Sequence, residues 1–183
     1  NEVDDVSVVS PEALLVGSQV TIYGVMEGYL NRAVSMVMQQ MSGLQTDYYR
    51  DFNCDPIDVN TNGRWTAMYG TGGLIDLNTT QEVADAQEKY VLLAISQMWE
   101  ALLFSTAADL WGDIPYSQAA NPEYAEPKFD SQLDVHMAAL DLIDDAIENF
   151  QKGQVFALPT EYDFTFGADV DKWIAAAHTL KSR

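Results

Sequence analysis

A lone cysteine, Cys54, leaves this 183-residue chain without any internal disulfide. Positive charge is scarce too: nine Lys and Arg face 28 Asp and Glu, a formal net charge of −19. Such a surface repels phosphate backbones and anionic bilayers, which disfavours nucleic acid and anionic membrane surfaces as partners. A neutral ligand such as a sugar meets no such penalty. No stretch approaches the roughly 20 apolar residues of a membrane-spanning helix. The opening Asn1-Glu2-Val3-Asp4-Asp5 lacks the basic and apolar regions of a signal peptide. Two placements stay open: a cytosolic chain, or one whose targeting segment has been removed. The two histidines, His136 and His178, are far apart and have no Cys or His partner at metal-ligand spacing, so both read as surface or packing residues. Cys54 has no His companion in a recognisable signature, which argues against a thiol nucleophile. No cofactor and no resident metal are expected.

What is present is helical periodicity. With 48% hydrophobic residues the chain can bury a sizeable core, and one compact domain over residues 1–183 is expected. Leu15, Ile22, Met26, Leu30, Ala33, Val37 and Met41 recur at helical spacing and predict a helix from Pro11 to about Gly43. Met36, Met38 and Met41 look like core filler. A second run begins near Trp65 and is weakened by Gly70, Gly72 and Gly73. Thr79-Thr80-Gln81-Glu82 fits a capping box, predicting that a third helix starts there and continues through Tyr90, Met98 and Leu102. Ser131-Gln132-Leu133-Asp134 has the same form and opens a fourth helix with the stripe Leu133, Met137, Leu140, Ile143, Ile147 and Phe150, stopped by Gly153. A fifth runs from about Val170. No strand pattern of useful length appears, so the chain reads as all-α. Paired antiparallel helices joined by long ordered loops suggest a helical-repeat scaffold, although the tetratricopeptide consensus of about 34 residues is not clearly legible.

Two connections, residues 44–63 and 112–130, are long and rich in Asp, Asn, Pro and aromatics, and loops of this length usually carry function. In the first, Tyr48-Tyr49-Arg50-Asp51-Phe52-Asn53 is the candidate ligand site. Aromatic faces stack on the apolar faces of sugar rings, while Arg, Asp and Asn hydrogen-bond hydroxyls. The same spacing also suits Tyr49 and Phe52 fastening the loop to the core. Asp58-Val59-Asn60-Thr61-Asn62-Gly63 matches the first half of a calcium loop, with Asp58, Asn60 and Asn62 as ligands. Its twelfth position is Tyr69 where a bidentate Glu is needed, so a turn followed by a helix start at Asn62 is the alternative. Asp144 and Asp145 are adjacent on a helix and point apart, as on a solvated face; they do not form an acid/base pair for glycoside cleavage.

The second connection opens with Asp109-Leu110-Trp111-Gly112-Asp113-Ile114-Pro115-Tyr116. Trp111 pins a helix end by burial, Gly112 tolerates a left-handed exit, Asp113 accepts backbone donors, and Pro115 holds Ile114 extended. These residue types build an ordered corner, with Asp109 and Tyr116 at its two ends. The corner resembles the Asp-Leu-Trp-Gly-Asp-Val-Pro-Tyr segment of the SusD/RagB family of Bacteroidetes outer-membrane nutrient-binding lipoproteins. The run from Pro127-Lys128-Phe129-Asp130-Ser131-Gln132 to Leu142-Ile143-Asp144-Asp145-Ala146-Ile147 resembles the family's next helix. Asp169-Val170-Asp171-Lys172-Trp173 with Leu180-Lys181-Ser182-Arg183 resembles a later stretch, and Gln39-Gln40-Met41-Ser42-Gly43 with Trp65 and Tyr69 its first helices. Ala177-His178 stands where the family has Ala-Asn, and Gly167-Ala168-Asp169 spreads its Gly-Asp pair. The resemblance covers nearly the whole chain and corresponds to the N-terminal portion of a longer protein.

What the resemblance implies is a tetratricopeptide-like scaffold that binds glycans or other nutrient oligomers, peptides included, at the cell surface without catalysis. It implies a SusC-like TonB-dependent transporter as partner. It also implies an outer-membrane location through a lipid anchor preceding Asn1. Two other classes stay open from the residues: a fragment of an all-α glycan hydrolase, and a helical-repeat scaffold that binds protein only.

Overall fold

The computed structural model describes residues 9–43, 53, 58–70, 72–153 and 157–183, with backbone but not side chains at 29 and 58–61. Helix α1, Pro11–Tyr23, starts where Ser10 accepts the Ala13 N–H at 3.2 Å and Pro11 takes the first turn. It runs on as a π-helical segment, Gly24–Leu30, in which Gly28 leaves helical dihedrals (φ −86°, ψ −109°). Helix α2, Asn31–Val37, follows. The run expected to reach Gly43 therefore ends at Val37, with Gln39 at a φ of 59° beyond it. Of the three methionines expected in the core, Met36 is buried, whereas Met38 and Met41 are 64% and 52% exposed.

Helix α3 spans Asp58–Tyr69 and α4 spans Leu74–Ala86. Their boundary is the Gly70–Gly73 turn, where a Cβ at Gly72 (φ 80°) would collide with Thr21 of α1. Asp76 in the first turn of α4 accepts the Gly72 N–H at 2.7 Å. The expected capping box at Thr79 is not a helix start, because it lies inside α4. Thr79 and Thr80 donate to the carbonyls of Ile75 and Asp76, four residues back, at 2.8 and 2.7 Å. The break comes after Ala86, where Glu88 adopts a φ of 55°.

Helix α5, Tyr90–Trp111, is the centre of the fold. It is long and apolar enough to cross a membrane, with a mean hydropathy of 1.4, which sequence inspection overlooked because Ser96, Gln97 and Glu100 interrupt the run. Yet 83% of that window is buried inside the protein, as in a core helix. Contacts Asp109–His136 and Gln97–Asn149 set α5 antiparallel to α6, Gln132–Lys152. The Gln81–Glu100 bond ties α4 to α5, and the stacked Phe150–Trp173 rings and the Asp144–Lys181 ion pair set α7, Val170–Lys181, antiparallel to α6.

The ends of α6 match expectation: Ser131 accepts the Asp134 N–H at 3.1 Å and Gly153 (φ 76°) ends the helix; α7 starts at Val170 as expected, capped by Asp169, which accepts the Lys172 N–H at 3.2 Å. The stripe of α6 differs at its start. Ile143 and Phe150 are buried together with Val135, Ala139 and Ala146, but Leu133 and Met137 are 69% and 51% exposed. One strand pair was also not foreseen: β1, Ile114–Pro115, lies antiparallel to β2, Phe129–Asp130. Two residues per strand are too few to show an alternating pattern.

The loop before α7 is held from inside. The buried Asp163 carboxylate accepts the N–H groups of Thr165, Phe166 and Ala168 and the Trp173 indole N–H at 2.8 Å. The fully buried Gln19 of α1 donates to the Tyr162 carbonyl at 2.7 Å and accepts the Phe164 N–H at 3.0 Å.

Candidate ligand-binding site

The corner after α5 is an ordered junction built from both of its strands. Gly112, at φ 75° and ψ −123°, turns the chain out of the helix. Asp113 accepts a backbone donor, as expected, but across the junction: its carboxylate takes the Gln132 N–H at 2.9 Å, while the Gln132 side chain donates to the Ala108 carbonyl. Ile114 is fully buried and Pro115 pairs with Phe129. Asp130, also buried, accepts the N–H groups of Tyr116 and Ser117 and the Ser117 hydroxyl, and pairs with Lys128 at 3.0 Å. Burial alone would raise its pKa, but these donors outweigh it and lower the pKa. Asp109 is exposed, 2.6 Å from Arg183 and 3.2 Å from His136.

A row of aromatic rings crosses this junction. Trp111 meets Trp65 edge-on at 5.7 Å, Trp65 tilts on Tyr69 at 5.1 Å, Tyr69 meets Phe104 at 5.4 Å, and Phe104 tilts on Tyr116 at 5.0 Å. Phe104 is fully buried, whereas Trp65 and Trp111 are half-buried. The Tyr69 hydroxyl donates to the Pro115 carbonyl at 2.8 Å, and the Tyr116 hydroxyl donates to Glu100 at 2.7 Å. Glu100 also accepts from the Gln81 amide at 2.6 Å. Burial raises the Glu100 pKa even though both bonds act to lower it. Burial, followed by the charge of Asp130 or Glu100, pushes both phenols far above their ordinary value, so both remain donors. Trp111 thus holds its helix end as the sequence suggests, while sharing with Trp65 a rigid, half-open aromatic edge suited to stacking.

The other sequence candidates distribute as follows. Tyr48, Tyr49, Arg50, Asp51 and Phe52 lie outside the described residues, and Asn53 sits exposed in a turn with an interaction of its own. Positions 58, 60 and 62 are helical backbone in α3, which places 58 and 60 on opposite sides of the helix; the described helix already includes Asp58, four residues before the expected Asn62. Sequence reading marked Trp65 and Trp111 only as helix landmarks and missed that they meet, because their separation carries no local signal.

Concavities among the described residues flank this framework. A groove of about 680 Å³ between α5 and α7 is walled by Trp99, Phe166 and Trp173. A cavity of about 400 Å³ lies by Asp109, His136 and Arg183. The third, about 520 Å³, opens at the π-helical segment and is lined by Glu27, Asn31, Arg32, Ser35 and Arg64 among others.

Antiparallel helix pairs around a buried central helix, with aromatic and polar groups displayed on the connections, define an all-α scaffold of tetratricopeptide-like type. The family described as SusD-like, starch-binding and associating with the outer membrane, matches residues 3–183, and the chain belongs to it. Its fold is similar to the crystal structure of a SusD/RagB family protein from Bacteroides thetaiotaomicron VPI-5482, with a TM-score of 0.83 and 24% sequence identity. That similarity covers 95% of this chain and 37% of that one, so the chain spans well under half of the solved relative. No curated protein matches it.

Proposed function

We propose that these residues are part of a cell-surface nutrient-capture protein that binds oligosaccharides, or other nutrient oligomers such as peptides, without catalysis. It passes them to a SusC-like TonB-dependent transporter in the outer membrane. The observation that carries this reading is membership, over residues 3–183, in a family described as starch-binding and outer-membrane associated. The half-open Trp65–Trp111 edge supports it, because flat apolar faces beside hydrogen-bonding groups suit sugar rings. Glu100 fits no hydrolytic role: it is buried and both its oxygens are bonded, to Tyr116 and to Gln81. The protein acts at the cell surface, held by a lipid anchor that precedes Asn1, and the helical framework serves as a rigid docking face for the transporter. Contacts to the ligand come from residues 48–53 and from Trp65 and Trp111.

The test is binding by calorimetry and glycan array. Tyr48→Ala with Phe52→Ala is expected to abolish glycan retention with a melting temperature near wild type, and a large loss of stability would assign those rings to packing. Release of reducing sugar from polysaccharide would overturn the non-catalytic reading. Co-purification with an outer-membrane barrel from native membranes is expected, and recovery from cytosol alone would refute the surface location.

A further inference from the structure

The scarce positive charge of this chain is not spread evenly. Arg32 on α2 and Arg64 on α3, two of only nine cationic side chains, line the same cavity of about 520 Å³. That volume lies within the roughly 300–1,000 Å³ typical of small-ligand sites. The cavity sits against the kinked segment between α1 and α2, where Gly28 leaves helical dihedrals. Gly24 and Gly28, four residues apart in that segment, leave its backbone uncovered, and a Cβ at either would meet open space. Both arginines are half-buried, whereas Glu27, the one acid on the lining among the described residues, is exposed. Asn31 and Ser35, one turn apart and 3.5 Å from each other, supply amide and hydroxyl groups to the same wall. Each arginine also interacts with other groups of the chain, but a guanidinium has five N–H donors and can serve a second acceptor from another edge.

We propose that this cavity is a subsite for the oxyanion of an acidic oligosaccharide, with Arg32 and Arg64 gripping a uronate carboxylate and Asn31 and Ser35 bonding adjacent hydroxyls. The proposal rests on the glycan-capture reading and names its substrate class. Paired guanidinium forks match a planar carboxylate and hold it by charge-assisted bonds. The net charge of −19 does not forbid this. Screening over about 8 Å at physiological salt mutes distant acids, so the groups lining the cavity set the local field.

Calorimetry with trigalacturonate, maltotriose and sodium sulfate tests the proposal. Wild type is expected to bind trigalacturonate more tightly than maltotriose. Arg32→Gln and Arg64→Gln should each weaken trigalacturonate binding by roughly 10-fold or more, the usual scale for losing a hydrogen bond to a charged group. Phenylglyoxal labelling of the wild-type protein, mapped by mass spectrometry, needs no substitution; trigalacturonate should protect Arg32 and Arg64. Equal affinity for the two saccharides, or no protection of either arginine, overturns the assignment. Maltotriose binding without trigalacturonate binding removes this subsite and leaves the glycan reading intact; binding of neither saccharide also removes this subsite, and the glycan array then decides the glycan reading separately. Protection by sulfate alone would mark an isolated anion site and also refute the proposal.

Discussion

Replacing Glu100 by Gln should stabilise the protein increasingly as pH rises from about 4.5 towards neutrality. The folded protein buries this carboxyl, 7% exposed, with two donors on its oxygens and a pKa above the ordinary 4.5. The folded state therefore holds the proton more tightly than the unfolded chain. The stability this contributes is fully present below about 4.5 and is lost as pH climbs through the folded value. Gln has no proton to lose. In the native geometry its oxygen accepts from Gln81 and its amide donates to the Tyr116 oxygen, so both neighbours keep a partner. The stability difference between variant and wild type should thus grow by at most about 1.4 kcal/mol per pH unit within that window. Glu100→Ala separates charge from hydrogen bonding. It shares the pH trend but orphans the Tyr116 hydroxyl and the Gln81 amide, costing about 1–3 kcal/mol each. Urea unfolding followed by tryptophan fluorescence between pH 4.5 and 8 measures all three proteins. Because the other acidic residues are common to them, their titrations cancel in the differences. A wild-type to Gln difference that stays flat, or that favours Glu as pH rises, would refute the reasoning.

Three further outcomes follow from the packing. Gly112→Ala should cost about 1–3 kcal/mol, because a φ of 75° with a ψ of −123° is foreign to L residues while open space around the new methyl offers no compensating contact; differential scanning calorimetry reads this as a lower Tm. Asp163→Asn keeps one acceptor oxygen and turns its N–H₂ towards either the Thr165 N–H or the Phe166, Ala168 and Trp173 donors, and should destabilise by about 1–3 kcal/mol, with a changed near-ultraviolet signal from Trp173; an unchanged unfolding midpoint would contradict the bonding described. Gln19→Ala should release the loop from α1, seen as faster amide exchange at Phe164, and unaltered exchange there would show that the clamp carries no protection.

Features set by neighbours in sequence were legible without coordinates. Ser131 and Gly153 bound their helix because a cap needs only the next three or four residues, and the Trp111–Pro115 corner carries its turn chemistry in its own letters. Where one residue type has two local options, reading fails. Thr79 could cap a helix or bond back into one, and the Gly72–Gly73 turn upstream decided for the second. Periodicity placed Leu133 and Met137 on the same stripe as Ile143 but could not tell that Val135 and Ala139 are the residues buried in the first two turns of α6. The candidate site was the least legible part. The Trp65–Trp111 edge joins residues from two helices, the Arg32–Arg64 cavity depends on an irregular helix that no composition announces, and Asp163 and Gln19 act on partners brought near only by the fold.

The Gln19 clamp imposes an order of events on synthesis. Its side chain closes on Tyr162, 143 residues later in the chain, a distance the ribosome covers in roughly 7–30 s at 5–20 residues per second. During that interval α1 can be sheltered first by α4 and then by α5, both of which it packs against. The buried amide nevertheless has no long-range partner until the loop before α7 has emerged. A nascent chain halted before Tyr162 would leave that amide only the Leu15 carbonyl of its own helix, at 3.4 Å, so α1 is locked later than its packing against α4 and α5 alone would allow.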